Sequence, residues 1–263
     1  MAYFKRVRAV LRPPMAKLET QRLHLELTGL DVAGRITPSS GGVAALASHL
    51  AVLVRLQRLT ISRNAFSSRD VSEFLAPALA HMTQLQRLEV SNARLGPALA
   101  TLACVLPDSL ERLDLAGNDI TSACERSGFL TALAKLIRLR HISLARNALG
   151  SGAVEIVKVL TKLHALQTLD LRQVHLGDSD AANLAPLLQQ IGLETLLLGS
   201  NSLTVDGACA ITARLSKSAL LHLDLSAAGL HDITPLVPLL CDLHALQSVN
   251  LRQNGISEGA CWA

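Results

Sequence analysis

Aromatic side chains are scarce in this sequence, and the common catalytic motifs are missing. Phe, Trp and Tyr make up only 2% of the 263 residues, although apolar residues make up 49%. A core must therefore be assembled from aliphatic side chains. No Walker-type phosphate loop, HExxH or GxSxG occurs, and the Ser and His residues show no recurrent pairing that would activate a nucleophile. We predict that the chain is not an enzyme and uses no metal or other cofactor.

The sequence also lacks a long hydrophobic run and any paired arrangement of cysteines. No stretch of 18 or more apolar residues occurs, which argues against a membrane-spanning helix. The cysteines are five in number, without a CxxC pair, a secretory signal or an Asn-x-Ser/Thr sequon. This favours a reducing intracellular compartment, the cytoplasm before the mitochondrion. We expect all five to be small buried core residues: Cys104, Cys124, Cys209, Cys241 and Cys261.

What the sequence does contain is one motif, LxxLxLxxNxL, repeated along most of its length. Within each unit, apolar residues at positions 4 and 6 have the period of a strand with one buried face. An apolar stretch at helical spacing follows, as in residues 153–163. One strand and one helix per unit are predicted. Clear units begin 25 to 29 residues apart, and a weaker one begins at Thr20: Leu56, Leu85, Leu110, Leu139, Leu166, Leu193, Leu220 and Leu246.

The motif resembles that of the leucine-rich repeat family, and the unit length and long helices resemble its ribonuclease-inhibitor-like class. The resemblance implies an α/β solenoid, a horseshoe of about nine repeats with parallel strands on the concave face and helices on the convex face. We assign residues 1–19 to a basic amphipathic helix and residues 20–263 to the repeat domain, with an incomplete last repeat. Starting at Thr20 makes the first unit 36 residues long, and we interpret residues 34–42 as a surface-loop insertion.

Position 9 is the residue that bonds neighbouring backbones in this family. It is Asn in five units: Asn64, Asn118, Asn147, Asn201 and Asn254. The units at Leu85, Leu166 and Leu220 carry Ala93, Val174 and Ala228 instead, side chains that cannot replace an amide. We therefore expect less well satisfied turns in those three units.

Ser or Asp stands near the start of many predicted helices. A side-chain oxygen at that place can accept a hydrogen bond from a free backbone N–H group, so we interpret these residues as helix caps and not as catalytic groups. They are Asp70, Ser151, Asp178, Asp206 and Asp232.

Charge is distributed unevenly along the chain. Residues 1–146 hold 19 Lys and Arg against 11 Asp and Glu, whereas residues 147–263 hold 6 against 10. Positions 3 and 5 of each strand should face the concave solvent. Position 3 is arginine in the first four units, at Arg22, Arg58, Arg87 and Arg112, and position 5 is acidic in four units, at Glu89, Asp114, Asp170 and Asp224. We predict a concave face that is basic in its first repeats and acidic further on.

Two interpretations of this face remain open. The arginines can be solvated residues that cover the strands with their stems. They can also form a binding surface for an acidic protein segment or a phosphate-bearing ligand at repeats 1 to 4, because arginine makes bidentate contacts with such groups.

The two ends of the chain add further expectations. Residues 1–17 hold five basic residues and no acidic one; we interpret them as a cap on the first repeat or as a mitochondrial transit sequence. The last repeat stops after about one helical turn. Three interpretations of the exposed end of the last repeat are open: Trp262 folds over its core, a partner covers it, or the chain is truncated. We expect this end to dock on another subunit.

Together these patterns predict a non-catalytic protein–protein interaction scaffold, a structural subunit of a larger intracellular assembly. One alternative is a subunit of an RNA-containing complex such as a mitochondrial ribosome, where the arginines would contact phosphates. A second alternative rests on the resemblance, since the Ran GTPase-activating protein has repeats of the same class. Its relatives carry an acidic tail that is missing here, which weakens this alternative.

Overall fold

A computed structural model describes residues 27–36, 40–122 and 128–256 of the chain. Within them, nine strands form one parallel sheet whose order follows the chain. The sheet confirms the predicted α/β leucine-rich repeat solenoid of about nine repeats. The strands are β1 (Gly29–Asp31), β2 (Arg58–Thr60), β3 (Arg87–Glu89), β4 (Arg112–Asp114), β5 (His141–Ser143), β6 (Thr168–Asp170), β7 (Thr195–Leu197), β8 (His222–Asp224) and β9 (Ser248–Asn250).

Helices of different length connect successive strands. A π-helical turn (Val71–Leu75) separates α2 from α3, and a 3₁₀ turn (Gly96–Ala98) precedes α4. None of the helices in the described ranges has the length and apolar character needed to cross a bilayer. The helices are α1 (Ser40–Leu50), α2 (Ser68–Asp70), α3 (Ala76–Leu79), α4 (Leu99–Ala103), α5 (Phe129–Leu133), α6 (Gly152–Leu160), α7 (Asp178–Leu188), α8 (Val205–Arg214) and α9 (Leu236–Cys241).

The core lies between the sheet and the helices and is continuous from unit to unit. Positions 4 and 6 are buried as predicted, for example at Leu113 and Leu115, each with 1% exposure. Helix α6 closes the core with Ala153, Ile156, Val157 and Leu160, at i, i+3, i+4 and i+7. Each buried leucine contributes about 1.5–3 kcal/mol of transfer free energy. The core therefore stabilises the solenoid by many similar contributions and needs no aromatic centre.

The first strand does not have the predicted register. Strand β1 places Gly29 beside Arg58 and Leu30 beside Leu59, so the first described unit begins at Leu27. The frame starting at Thr20 is wrong, because the buried residues Leu30 and Val32 occupy positions 4 and 6. The unit is then 29 residues long, and residues 34–36 begin an ordinary connection to α1 instead of an insertion. The residue paired with Arg58 is accordingly Gly29, and Arg22 lies outside the described residues.

The asparagines at position 9 bond the backbones of neighbouring units, as predicted. They also bond the turns that lack an asparagine of their own, which was not expected. Asn201 donates from Nδ2 to the carbonyl oxygens of Leu171 (2.8 Å) and Leu198 (2.7 Å), and its Oδ1 accepts from the N–H groups of Val174 (3.0 Å) and Leu176 (3.2 Å). The amide thus reaches back to the preceding unit. The turns that lack their own asparagine, at Ala93, Val174 and Ala228, are satisfied by Asn118, Asn201 and Asn254. The expectation of poorly satisfied turns there is wrong.

Position 8 has the left-handed backbone conformation in all nine units. Only two of these residues are glycines, Gly34 and Gly117, with φ of 61° and 64°. The others have a side chain and φ between 48° and 62°, which costs about 1–2 kcal/mol each: Arg63, Asn92, Arg146, Gln173, Ser200, Ala227 and Gln253. The turn after each strand therefore imposes its conformation on whatever residue stands there.

The residues interpreted as caps have mostly other roles. Ser67 caps α2: its Oγ accepts a hydrogen bond from the Asp70 N–H group. The Asp70 carboxylate in turn accepts one from the Ser67 N–H group. Thr204 caps α8 and also donates to Asp178 (2.7 Å). The acidic residues Asp70, Asp178 and Asp206 lie inside the first turn, where the helix dipole favours them. Asp232 accepts from the Thr234 N–H group, and the Ser151 side chain makes no capping bond.

Candidate binding site on the concave face

Three arginines stand side by side at position 3 of adjacent strands. Arg58, Arg87 and Arg112 pair in register on β2, β3 and β4, and all three side chains are exposed. Adjacent strands lie about 4.8 Å apart. None of the three forms an ion pair with any residue of the described ranges. We call these three residues the arginine row.

The positive field of the arginine row extends to the next strand. His141 follows in the same column on β5, paired with Arg112. Partial burial lowers the pKa of His141, and the charges of Arg112, Arg87 and Arg140 lower it further, against the opposing effect of Glu194. An imidazolium at this place would meet three guanidinium groups. The local potential therefore favours an incoming anion.

The predicted position-5 acids have a structural role in the turn. Asp114 and Asp224 each accept a hydrogen bond at 2.9 Å from the N–H group two residues later, at Ala116 and Ser226. Asp170 accepts the equivalent bond from Arg172 at 3.1 Å. Such bonds end a strand and begin a turn. Their recurrence at one repeat position is thus explained without a ligand.

Glu89 and Asp114 lie nearer the arginine row and are only partly buried. Glu89 accepts from the Thr60 hydroxyl at 3.3 Å. Burial raises the pKa of Asp114; the Ala116 N–H bond lowers it, the charge of Glu89 raises it, and the charge of Arg112 lowers it. Arg112 is therefore close enough to stabilise this carboxylate but makes no ion pair with it.

Arg172 is the residue that sequence reasoning missed. It stands at position 7 after β6 and makes a bidentate contact with Asp170, from Nε at 2.9 Å and from a terminal nitrogen at 2.8 Å. This contact raises the pKa of Arg172, burial lowers it, and the charges of Asp170, Asp224 and Asp114 raise it. The Asp-Leu-Arg string at 170–172 is the signal that could have revealed the pair.

One shallow groove runs along the carboxyl ends of the strands and is lined by Arg112 of the arginine row but not by Arg58 or Arg87. The groove has a volume of about 520 Å³ and runs from Ser91 to Asn250. Its charged lining residues come from both halves of the concave face: Arg112, Asp114, Arg146, Asp170, Arg172 and Asp224. No aromatic residue occupies positions 3 to 8 of the nine described units. The groove can thus hold a charged ligand but offers no stacking platform.

Not every predicted site residue can be placed. The structure brings together Arg58, Arg87 and Arg112, with Glu89 and Asp114 beside them and Asp170 and Asp224 further along the groove. Arg22, Trp262, the residues 1–19 for which a helix is predicted, and residues 257–263 of the predicted docking edge lie outside the described residues. A binding role for any of these residues stays a prediction.

The expectation of buried core cysteines is wrong for Cys104 and Cys241, whereas Cys209 packs against the core. Cys104 and Cys241 are exposed and Cys209 is half-buried, all three as free thiols. Cys124 and Cys261 lie outside the described residues. Cys104 follows the end of α4, whose buried residues are Leu99, Leu102 and Ala103, and Cys241 ends α9, whose buried residue is Leu236. Within the described ranges, no group of three His, Cys, Asp or Glu side chains could hold a metal ion.

Comparison with known proteins supports the fold. No protein-family model matches the chain, and no curated protein does. Among solved structures, internalin C2 from Listeria monocytogenes is similar with a TM-score of 0.55 and 22% identity, over 88% of this chain and 84% of that one. A TLR13–ssRNA13 complex is similar with a TM-score of 0.56 and 20% identity, over 92% of this chain and 35% of that one.

Both of these structures are leucine-rich repeat proteins. Their low identity makes the likeness one of fold. The parallel sheet of nine strands and the two similar structures together define this chain as a leucine-rich repeat solenoid with an open concave groove.

Proposed function

We propose that this chain is a non-catalytic interaction scaffold that binds an acidic protein segment along the arginine row. The observation that carries the proposal is the register of Arg58, Arg87 and Arg112 on three adjacent strands without an internal ion pair. Like charges about 4.8 Å apart repel by about 1 kcal/mol in water before screening. Carboxylates of a partner would offset this repulsion and use the bidentate geometry of each guanidinium.

Acidic residues beside the arginine row and further along the groove would set the position of that segment. Glu89 and Asp114 border the arginine row, while Asp170 and Asp224 lie further along the groove. Their negative charge would confine an acidic partner to the first repeats, since like charges across an interface disfavour the wrong register. The proposed partner therefore has its acidic residues grouped at one end.

A defined probe tests this proposal without knowledge of the natural partner. A fluorescent peptide of ten glutamates is titrated with the wild-type protein and with R58Q/R87Q/R112Q, and the Kd is measured by anisotropy. The control is K162Q/R214Q/K217Q, which removes three exposed positive charges from the helical side and from turns. We expect the row variant to bind at least tenfold more weakly, because three charge-assisted contacts are lost, and the control to change Kd less than twofold. Equal weakening in both variants would show that net charge alone attracts the peptide.

A phosphate-bearing RNA partner is the second candidate, supported by the same unpaired guanidinium groups. One of the similar structures is a complex with a single-stranded RNA. Single-strand recognition usually adds aromatic stacking, which the described groove cannot supply. An RNA 20-mer in the same titration distinguishes the two: phosphate binding predicts tighter binding than the glutamate peptide and a steep linear fall of log K with log salt.

We also propose that the repeats are of the ribonuclease-inhibitor-like class and that the chain is a subunit of a larger assembly. The strand-to-strand spacing of 25 to 29 residues supports the ribonuclease-inhibitor-like class. A fixed place in a larger assembly would make the isolated chain associate or aggregate, so a stable monomer in size-exclusion chromatography with light scattering would contradict it. The alternative of a small-GTPase activator resembling the Ran GTPase-activating protein requires that this chain accelerate GTP hydrolysis in a direct assay.

A further inference from the structure

We infer that the groove contains a second subsite, at Asp224, that accepts a lysine or arginine side chain of the same partner segment. The inference rests on the proposed function, because it places a basic residue on a segment whose acidic residues bind the arginine row. It would make the partner a short peptide with an acidic block at one end and a positive charge at the other.

Asp224 is a buried carboxylate that is only half satisfied. Its exposure is 8%, and Oδ1 accepts a hydrogen bond from the Ser226 N–H group at 2.9 Å. No hydrogen bond or ion pair from the described residues reaches Oδ2. Oδ2 is not fully enclosed, and a carboxylate in so largely buried a side chain is stabilised by a compensating charge. Asp224 lines the groove, so the open side of the carboxylate can be reached from there.

Asp170, at the equivalent position two strands away, shows what a complete site contains. Asp170 is 7% exposed and accepts two hydrogen bonds from the Arg172 guanidinium, one from the Arg172 backbone N–H group and one from the Ser143 hydroxyl at 3.2 Å. Arg172 is thus committed to Asp170. Arg252, at position 7 of the last described unit, makes no ion pair with Asp224 or any other described residue. The charge of Arg172 also acts on Asp224, but no described residue forms an ion pair with Asp224, so a cation in direct contact with Oδ2 would come from a bound partner.

Gly199, at position 7 between Arg172 and Ser226, has no side chain that could cover Asp224. A Cβ atom at this glycine would lie 3.1 Å from Asp224 Oδ1 and 2.6 Å from Ser226 Oγ. Any side chain would therefore press against the carboxylate and the hydroxyl. Without one, the groove stays open over Asp224, with Ser226 and Asn250 as neutral polar neighbours.

The distance between the two subsites sets the length of the partner. Arg112 on β4 and Asp224 on β8 are separated by four strand steps, which at about 4.8 Å each is about 19 Å. An extended chain covers this distance in about six residues at about 3.3 Å each. The segment that fits therefore has a Lys or Arg about six residues from its last acidic residue.

Three synthetic peptides test this geometry on the full chain. The first has three glutamates, a five-residue Gly/Ser spacer and an arginine, which therefore stands six residues after the last glutamate; the second replaces the arginine with glutamine; the third shortens the spacer to two residues. We expect the first to bind about tenfold tighter than the second and the third, because one partly buried charge pair is gained. Its smaller net negative charge would otherwise make it bind the arginine row more weakly than the second.

D224N should remove the advantage of the first peptide over the second, while D242N, at an exposed acidic residue at the end of α9, should preserve it. Asparagine keeps the acceptor for the Ser226 N–H group, and a melting curve checks the fold. If D224N does not fold, the Kd values of the three peptides with the wild-type protein still test the subsite. Binding of all three with equal Kd would overturn the subsite and leave the proposed function standing. Absence of binding by all three would overturn both.

Discussion

The two halves of the concave face use charge in opposite ways. On β2 to β4 the arginine row is exposed and has no ion-pair partner in the described structure, whereas on β6 and β8 the acidic residues Asp170 and Asp224 are buried and hydrogen-bonded within the chain. Position 3 and position 5 thus differ in what they contribute. The position-5 aspartates support the turn that follows their strand, while the position-3 arginines form no ion pair within the described residues.

This difference changes how charged residues that recur at one repeat position on successive strands are interpreted. Both columns recur with the repeat and looked equivalent in the sequence. In the structure, the acids repeat because each Asp accepts the N–H group two residues later, a local requirement of the turn. The arginines repeat without such a requirement. A recurrent charge therefore suggests binding only after its local hydrogen bonds have been accounted for.

The largest expected effect tests the structural role of position 5. Asp170→Ala should lower the free energy of unfolding by about 2–3 kcal/mol, because it removes hydrogen bonds to a buried carboxylate and leaves Arg172 without its partner. Thr60→Ala, at the same repeat position in the basic half, should cost less than about 1 kcal/mol, since only the 3.3 Å bond to Glu89 is lost. Urea denaturation measures both. Similar losses in the two variants would remove the distinction between the halves.

Most of the fold could be predicted because it depends on periodic apolar residues. Positions 4 and 6 determine which face of every strand is buried, and that period is visible without coordinates. The first unit was misassigned because two frames fit its sequence: Leu23 and Leu25 satisfy one, and Leu30 and Val32 satisfy the other. Only the pairing of Gly29 with Arg58 decides between them. Local periodicity cannot determine a register that depends on contact with the next strand.

The candidate site could be predicted only in part, for a different reason. Positions of Arg58, Arg87 and Arg112 follow directly from the repeat. The contact of Arg172 with Asp170 and the backward reach of Asn201 depend on side-chain direction and on the turn conformation at position 8. These are three-dimensional relations between adjacent units. The repeat pattern gives the identity of each residue but not the direction in which its side chain points.

A smaller effect is expected from removing the arginine row. R58Q/R87Q/R112Q should raise the free energy of unfolding by less than about 1 kcal/mol at low salt, because exposed like charges repel weakly and are screened. The gain should vanish at about 1 M salt, where the Debye length is about 3 Å. The thermal midpoint at both salt concentrations measures it. A loss of stability would mean that the arginines do stabilise the fold, which would weaken the case for a partner.

The smallest effect concerns the proton equilibrium of His141, which reports the field of the arginine row. Its pKa in the folded state lies below the ordinary 6.5, through burial first and then Arg112, Arg87 and Arg140. The unfolded chain therefore binds the proton more readily, so this group reduces stability as the pH falls through 6.5 towards the folded pKa. R112Q should raise the pKa of His141 towards 6.5, while R214Q on α8 should leave it unchanged. A titration of the His141 ring by NMR measures both, and an acidic peptide bound to the row should shift the same resonance in the same direction as R112Q. An unchanged titration in R112Q would show that burial alone sets this pKa and that the row exerts no field at β5.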